Sequence, residues 1–276
     1  MLSIITPVYN GEAFIEKCIQ NVIAQNCDDL EHIILDGGSK DQTIEIIKRY
    51  AEQYSYIRWV SEQDRGQSDA MNKGIQMAKG EILGILNVDD YYEPNVLNRI
   101  TEIFKDLTVP SFVTGNCNVW NDSGEIMEVN KPKDLRFLSL VSWSSPIPYN
   151  PSAYFYHKTL HDVIGLYDLN EHYAMDLDFI LKTIQEANLV YVDELWGNYR
   201  QIEGTKTVSS GNENKAKQYR IRILEKHRKS LPFLQRLQAV LGVSVIYKIK
   251  YFSSHPQDIL PTIRVKLLRA VNKVAP

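Results

Sequence analysis

From residue 2 to about residue 115 the chain alternates short apolar, β-branched runs with segments of helical spacing. Leu2–Thr6, His32–Leu35, Ile57–Val60, Ile82–Leu86 and Phe112–Thr114 read as buried strands, the first of them stopped by Pro7. Between them, Glu12–Gln25 carries apolar residues at Ala13, Phe14, Ile15, Ile19, Val22 and Ile23, one helical face. Asp41–Tyr50 and Ser68–Ala78 read as further helices, with Gly80 as the stop of the second. Pro94 fits the first turn of another. Strand–helix alternation with short turns forces right-handed crossovers and a mostly parallel sheet, hence an α/β fold. Ligands of such sheets bind at the carboxyl ends of the strands. The polar clusters Thr6–Asn10, Asp36–Thr43, Glu62–Asp69 and Asn87–Asp90 each follow a predicted strand, so the pattern gathers them on one edge.

The second half is less regular. Asn121-Asp122-Ser123-Gly124 signals a hairpin, and residues 131–152, rich in Pro, Ser and Trp, read as a mobile loop over a site. Tyr173–Ala187 reads as a helix and Leu189–Val192 as a strand. From about residue 212 the chain turns helical and basic. The net charge of −3 conceals this shift: residues 214–276 hold 14 Lys and Arg against two acids, and residues 1–213 hold 17 against 32. A body of charge −15 thus precedes a tail of charge +12. The expected organisation is one domain over 1–211, with halves 1–115 and 116–211, and a basic helical extension over 212–276. Cys18, Cys27 and Cys117 are odd in number and widely spaced, which fits free thiols in a reducing cytosol rather than a disulfide or zinc framework. No basic residue precedes the first apolar run, so no secretory leader is expected there. The apolar stretch Ala239–Tyr247 is about half the ~20 residues that a membrane span needs.

Several motifs carry chemistry. Asp89-Asp90 sets two carboxylates side by side at a strand end, which a divalent cation or a hydrogen-bond network must neutralise. Mg²⁺ and Mn²⁺ suit such oxygen ligands together with substrate phosphates. A solvated turn or a helix cap is the bland alternative. Asp36-Gly37-Gly38-Ser39-Lys40-Asp41 permits a tight turn with close ligand approach, or is simply a well-capped βα turn. It matches neither the P-loop nor the dinucleotide-binding pattern. The stretch 62–74 packs charged side chains around a helix start, where acids also have an ordinary dipole role. In Asp176-Leu177-Asp178 the two acids do not share a helical face. One can serve as a general base, leaving the other exposed or capping. Arg200 suits a phosphate or carboxylate, or an ordinary surface.

Four stretches, SIITPVYNGEAFIEKCIQNVIAQ, LDGGSKDQT, SEQDRGQSDAMNKGIQMAKGEILGILNVDDYY and IGLYDLNEHYAMDLDFILKT, together resemble the family 2 glycosyltransferases. The resemblance runs from Leu2 to about Arg200. It implies the GT-A fold, a Rossmann-like, mostly parallel sheet with flanking helices. It also implies a nucleotide-diphosphate sugar donor, Mn²⁺ or Mg²⁺, and transfer with inversion. By this resemblance Thr6, Pro7 and Tyr9 flank the nucleobase, Asp36 hydrogen-bonds it, Asp64 lies beside the nucleoside and Asp69 lies near the donor. Asn87-Val88-Asp89-Asp90 matches the metal motif in a variant form with Asn at its first position. Asp90 is then expected as the direct metal ligand, with Asp89 nearer the ribose or the second shell. Asp176 matches the general base, although Met175 stands where the family often has Glu. Arg200 matches a donor-site Arg, although Ile202 stands where the family often has His. Trp143 and Tyr149 are acceptor-stacking candidates, or core aromatics. UDP is the nucleotide expected by family frequency.

The implied activity moves a sugar onto a glycan or polyprenyl-linked acceptor during cell-surface polysaccharide synthesis. The alternative is an inactive nucleotide-sugar-binding scaffold of the same fold. A nucleotidyltransferase lacks its Gly-rich phosphate loop here. On a helical wheel, Thr262–Val274 sorts Ile263, Leu267, Ala270, Val271 and Val274 opposite Lys266, Arg269 and Lys273. A tail of this kind over 233–276 fits an anionic membrane surface, at about 1 kcal/mol per basic residue. It equally fits a helical annex packed on the acidic domain. Nucleic acid is not an expected partner, because no recognised binding motif is present. The expected location is the cytoplasm, peripheral to the inner face of the plasma membrane.

Overall fold

The computed structural model describes residues 1–148, 150–202 and 212–240. Among them the chain forms β1 (Leu2–Val8), α1 (Ile15–Ile23), β2 (Leu30–Asp36), α2 (Thr43–Gln53), β3 (Ile57–Ser61) and α3 (Gln67–Met77). There follow β4 (Ile82–Ile85), β5 (Tyr91–Tyr92), α4 (Val96–Phe104), β6 (Ser111–Trp120) and β7 (Ile126–Asn130). The second half adds α5 (Phe137–Val141), β8 (Tyr154–His157), α6 (Leu160–Ile164), α7 (Met175–Glu186), β9 (Asn188–Arg200) and α8 (Asn212–Lys229). The strands join in the order β3-β2-β1-β4-β8-β6-β9-β5, with β7 on β6.

The first four strands pair in parallel, as the alternation requires. Here β8 enters antiparallel between β4 and β6, and β6 runs parallel to β9. The carboxyl ends of β1, β2, β3, β4, β6 and β9 therefore lie on one edge of the sheet. Side chains alternate between its two faces. Ile5, Leu35, Tyr154 and Tyr156 join α3 and α7 in one core, while Ile4, Val113, Phe155 and Trp196 join α4 in the other. The α/β expectation holds, with a curled, mostly parallel sheet.

Several boundaries differ from the sequence expectation. Pro7 does not stop β1. Pairing with β4 ends at Ile5↔Ile85, while pairing with β2 continues to Val8↔Asp36. Pro7 follows Ile5 by two residues, so its missing N–H faces the side on which the ladder has ended. Gly80 is not a helix stop either, since α3 ends at Ala78 in an extended conformation. A Cβ at Gly80 would lie 2.7 Å from the Met1 carbonyl oxygen and 2.9 Å from the Ser3 nitrogen. Its role is close backbone approach to β1. Asn95, in the left-handed region, starts α4, one residue after Pro94. The short runs Phe112–Thr114 and Leu189–Val192 grow into the long strands β6 and β9, because each supplies the other's partner. Residues 131–152 are no free loop, since they contain α5, whose Leu140 and Val141 are fully buried.

The extension expected from residue 212 begins with α8. Ala216, Ile223 and Leu224 of that helix are buried, the latter two in the core that also holds α7. The amphipathic segment Thr262–Val274 lies outside the described residues.

Replacing Gly80 by Ala forces a carbon against backbone that cannot rotate away. The expected loss is about 1–3 kcal/mol of stability, read by urea denaturation.

Candidate active site

The sheet edge carries three polar centres. The first is built by β1, β2 and the turn after β3. Asp36, 2% exposed, ends β2. Its Oδ2 accepts the Gly38 N–H (3.0 Å), the Ser39 N–H (3.1 Å) and the Ser61 hydroxyl (2.6 Å), and its Oδ1 accepts the Ser39 hydroxyl. The Asp36 carboxylate thus folds the turn that follows it. Ser39 Oγ also accepts the Asn10 N–H at 2.7 Å, and Thr43 Oγ1 accepts the Gly11 N–H at 2.8 Å. The β1 and β2 loops are laced together in this way. A Cβ at Gly37 would meet Asp64 Oδ2 at 2.8 Å and Tyr9 Cδ2 at 3.4 Å. Asp64 and Tyr9 therefore close over the buried Gly37, and Tyr9 is left 63% exposed beside it.

Thr6 departs from its expected place. It is fully buried and its Oγ1 meets His32 Nε2 at 2.9 Å. Strand alternation turns this side chain inward. Pro7 is likewise buried in β1. His32 itself is held neutral, its pKa pushed down to about 3 by burial. Asp69 accepts the Arg65 N–H at 3.1 Å and pairs with Lys73 at 3.7 Å. The Arg65 N–H leads the effects that lower its pKa. It secures the start of α3.

The second centre is the acidic pair after β4. Asp90 is 3% exposed. Its Oδ2 accepts Asn87 Nδ2 and Asn150 Nδ2, both at 2.9 Å, and its Oδ1 accepts the Arg200 N–H at 3.1 Å. Asp89 is only half-buried. Asp89 is thus the more accessible of the two, while Asp90 is held by three donors. Burial raises the pKa of both, and the charge of Asp89 raises Asp90 further. The positive charge of Arg200 opposes the shift of Asp89. Two adjacent desolvated carboxylates, only one of which feels the Arg200 charge, fit a divalent cation. Among the described residues no group of three or more His, Cys, Asp or Glu forms a cage. Such an ion would need oxygen ligands beyond these two carboxylates, as Mg²⁺ and Mn²⁺ commonly take.

The third centre is Asp176, in the first turn of α7. The buried Tyr154 at the start of β8 donates its hydroxyl to Asp176 Oδ1 at 3.5 Å. Asp178, expected to be exposed or capping, is neither. It is 3% exposed and meets Lys182 (2.7 Å), Lys226 (3.0 Å) and His227 (2.8 Å). These partners hold its carboxyl well below the usual range against the opposing effect of burial. Trp143 leaves α5 at φ 57°, 41% exposed. Tyr149 lies outside the described residues.

Three contributors escape sequence reasoning. Asn150 sits in an Asn-Pro pair that reads as a plain turn, and nothing local ties it to Asp90, 60 residues earlier. Tyr154 looks like one more strand aromatic. Asn87 appears as a departure from a motif, yet its amide is what a buried Asp90 needs, since a third carboxylate there would repel it.

The model of the family described as Glycosyl transferase family 2 matches residues 3–164. A hyaluronan synthase from Pasteurella multocida is 34% identical over 209 residues, 75% of this chain and 21% of that protein. The chain spans between 18% and 30% of the length of the first curated relatives it matches. Among solved structures, S. aureus TarS 1–349 in complex with UDP-GlcNAc superposes with a TM-score of 0.65 at 17% identity, covering 88% of this chain and 71% of that one. A Pyrobaculum calidifontis mannosyltransferase in complex with GDP-Man and Mn²⁺ gives 0.58 at 17% identity, covering 96% and 79%.

Ser61→Ala removes one of four donors from the buried Asp36 carboxylate. A loss of about 1–3 kcal/mol is expected in chemical denaturation.

Proposed function

The chain belongs to glycosyl transferase family 2, and on that premise we propose that it moves a sugar from a nucleotide-diphosphate donor onto a hydroxyl of a glycan or polyprenyl-linked acceptor. UDP is the favoured nucleotide, and the product belongs to cell-surface polysaccharide. The observation that carries the reading is the placement of two separate acid centres on one sheet edge. Asp89 and Asp90 follow β4, and Asp176 stands beside Tyr154 at the start of β8, the strand paired with β4.

The roles divide along that edge. Tyr9, Gly37 and Asp64 receive the nucleobase and ribose, with Asp36 holding the turn between them. Asp69 steadies the loop beside the donor. Asp89 takes the metal, Asp90 orients the loop behind it, and Arg200 faces the diphosphate. When bound, Mn²⁺ or Mg²⁺ neutralises charge that builds on the departing nucleotide. Asp176 accepts the proton of the acceptor hydroxyl as its oxygen forms a bond to the anomeric carbon. The bond from that carbon to the nucleotide oxygen breaks on the opposite side, which inverts the centre. Charge at the ring oxygen and anomeric carbon grows as in glycoside hydrolysis. Trp143 and Tyr149 are the stacking candidates for the acceptor.

The described part of the basic tail supports attachment to an anionic bilayer. The helical segment 233–240 exposes Phe233 (74%), Leu234 (76%), Leu237 and Val240 beside Arg236. No helix among the described residues is long and apolar enough to cross a membrane. Such a face lies on a membrane rather than through it. The cytoplasmic side of the plasma membrane is the matching location.

A panel of nucleotide sugars with Mn²⁺ or Mg²⁺ should release nucleotide for at least one donor, and a chelator should stop it. Asp176→Asn should lower transfer about 10²–10⁴-fold. Donor binding without turnover across the panel would favour the scaffold alternative. Tyr154→Phe removes a donor that favours the charged form of Asp176, so the base should protonate more readily. The acid limb of the kcat/KM profile should move to higher pH.

The membrane reading predicts that Phe233→Ser with Leu234→Ser lowers sedimentation with phosphatidylglycerol vesicles. Unchanged binding would oppose it.

A further inference from the structure

We propose that α8 is a working part of the catalytic unit, and that Arg222, Lys226 and His227 are positioning residues that clasp the segment carrying Asp176. The inference rests on reading Asp176 as the base. It follows from where the carboxylates of that segment find their partners. Glu171 lies five residues before Asp176 and Asp178 lies two after it. Both are almost wholly buried, at 4% and 3% exposure. Burying a carboxylate is costly unless a cation or several donors meet it. For Glu171 the cation is Arg222, at 2.5 Å. For Asp178 the cations are Lys182 on its own helix, and Lys226 and His227 on α8. Arg222 and Lys226 stand at i and i+4 on one face of the helix, and His227, a further ~100° round, still reaches Asp178.

The clasp has a firm base. Arg228 Nε donates to the Val141 carbonyl oxygen at 2.8 Å, fixing α8 to α5. Ile223, Leu224 and Leu231 are buried in the core shared with α7. The clasped segment rests on α3, where Ser68 Oγ donates to the Glu171 carbonyl oxygen at 3.3 Å, but lacks a cap of its own. The α7 N-cap is Ala174, whose side chain makes no capping hydrogen bond. Asp176 therefore starts a helix whose first turn is held by α8 on both sides. Freeing Glu171 and Asp178 lets that turn shift, and displacement of a reacting group by about 1 Å can cost ~10²-fold in rate. The donor side, from Tyr9 to Asp89, is carried mainly by β1–β4 and meets the segment at the start of α3, so it should feel the change little.

The test uses the full chain and the donor found by the panel. Arg222→Ala, at a side chain 59% exposed, and the triple variant with Lys226→Ala and His227→Leu should lower kcat about 10-fold and 100-fold. The donor KM and the dissociation constant for the free nucleotide should stay unchanged. Arg222→Lys and His227→Gln, which keep a charge and a donor respectively, should restore most of the rate. Amide hydrogen exchange should quicken at 171–178 in the triple variant while β1–β4 stay protected. A wild-type kcat in the triple variant, or a parallel loss of nucleotide affinity, overturns the clasp. Transfer that survives Asp176→Asn sinks the reading of the base. Transfer that survives the triple variant, in a protein silenced by Asp176→Asn, sinks the clasp alone.

Discussion

Two adjacent carboxylates drawn out of water set the terms for the rest of this molecule. Asp90 can be buried only because three donors converge on it, and they come from three places in the chain. Asn87 arrives with the same loop, Asn150 with the entry to β8, and Arg200 with the end of β9. The acid therefore works as a tie between the two halves of the sheet. It also fixes how Asp89 is presented, since a neighbour locked in place leaves little freedom for the next peptide. Burial of this kind disfavours charge, and the structure tolerates it where a cation and a diphosphate are expected to arrive.

Around that tie the site divides by strand. The side of Asp36 and Asp64 is made of consecutive parallel units, each strand delivering its following loop to the edge. The side of Asp176 is assembled from α7, β8 and α8, which approach from far along the chain. Its polar groups are met by ion pairs rather than by turn hydrogen bonds, and Asp178 is the clearest case. The electrostatics follow the division. Loop carboxylates such as Asp36 and Asp69 are satisfied mainly by backbone N–H groups and hydroxyls close in sequence. Glu171 and Asp178 need Lys, Arg and His side chains from a helix some 50 residues away.

Whatever obeys a local period was legible in the sequence. The strands and helices as far as β4, the clustering of Asp36, Asp64 and Asp89 on one edge, and the helix under Asp176 all follow from spacing and turn residues. What depends on distant pairing was not. Nothing around Pro7 says that β4 ends two residues earlier on one side, and nothing around Gly80 says that β1 passes within van der Waals contact. The strands β6 and β9 lengthen because each meets the other. Thr6 sits beside a ligand-facing loop, yet the alternation of β1 turns it toward His32. Which of Asp89 and Asp90 is the more enclosed was hidden for the same reason: it depends on Asn150 and Arg200, far along the chain.

The tie at Asp90 also bears on how the protein comes into being. Arg200 follows Asp90 by 110 residues. At a synthesis rate of about 5–20 residues per second, the Asp90 loop waits roughly 5–20 s before its last partner is made. Until then Asp90 lacks a donor, and the loop that presents Asp89 has no reason to hold its final shape. The shape of the Asp89 loop is thus settled only after β9 has been made, and not with the parallel strands that precede it.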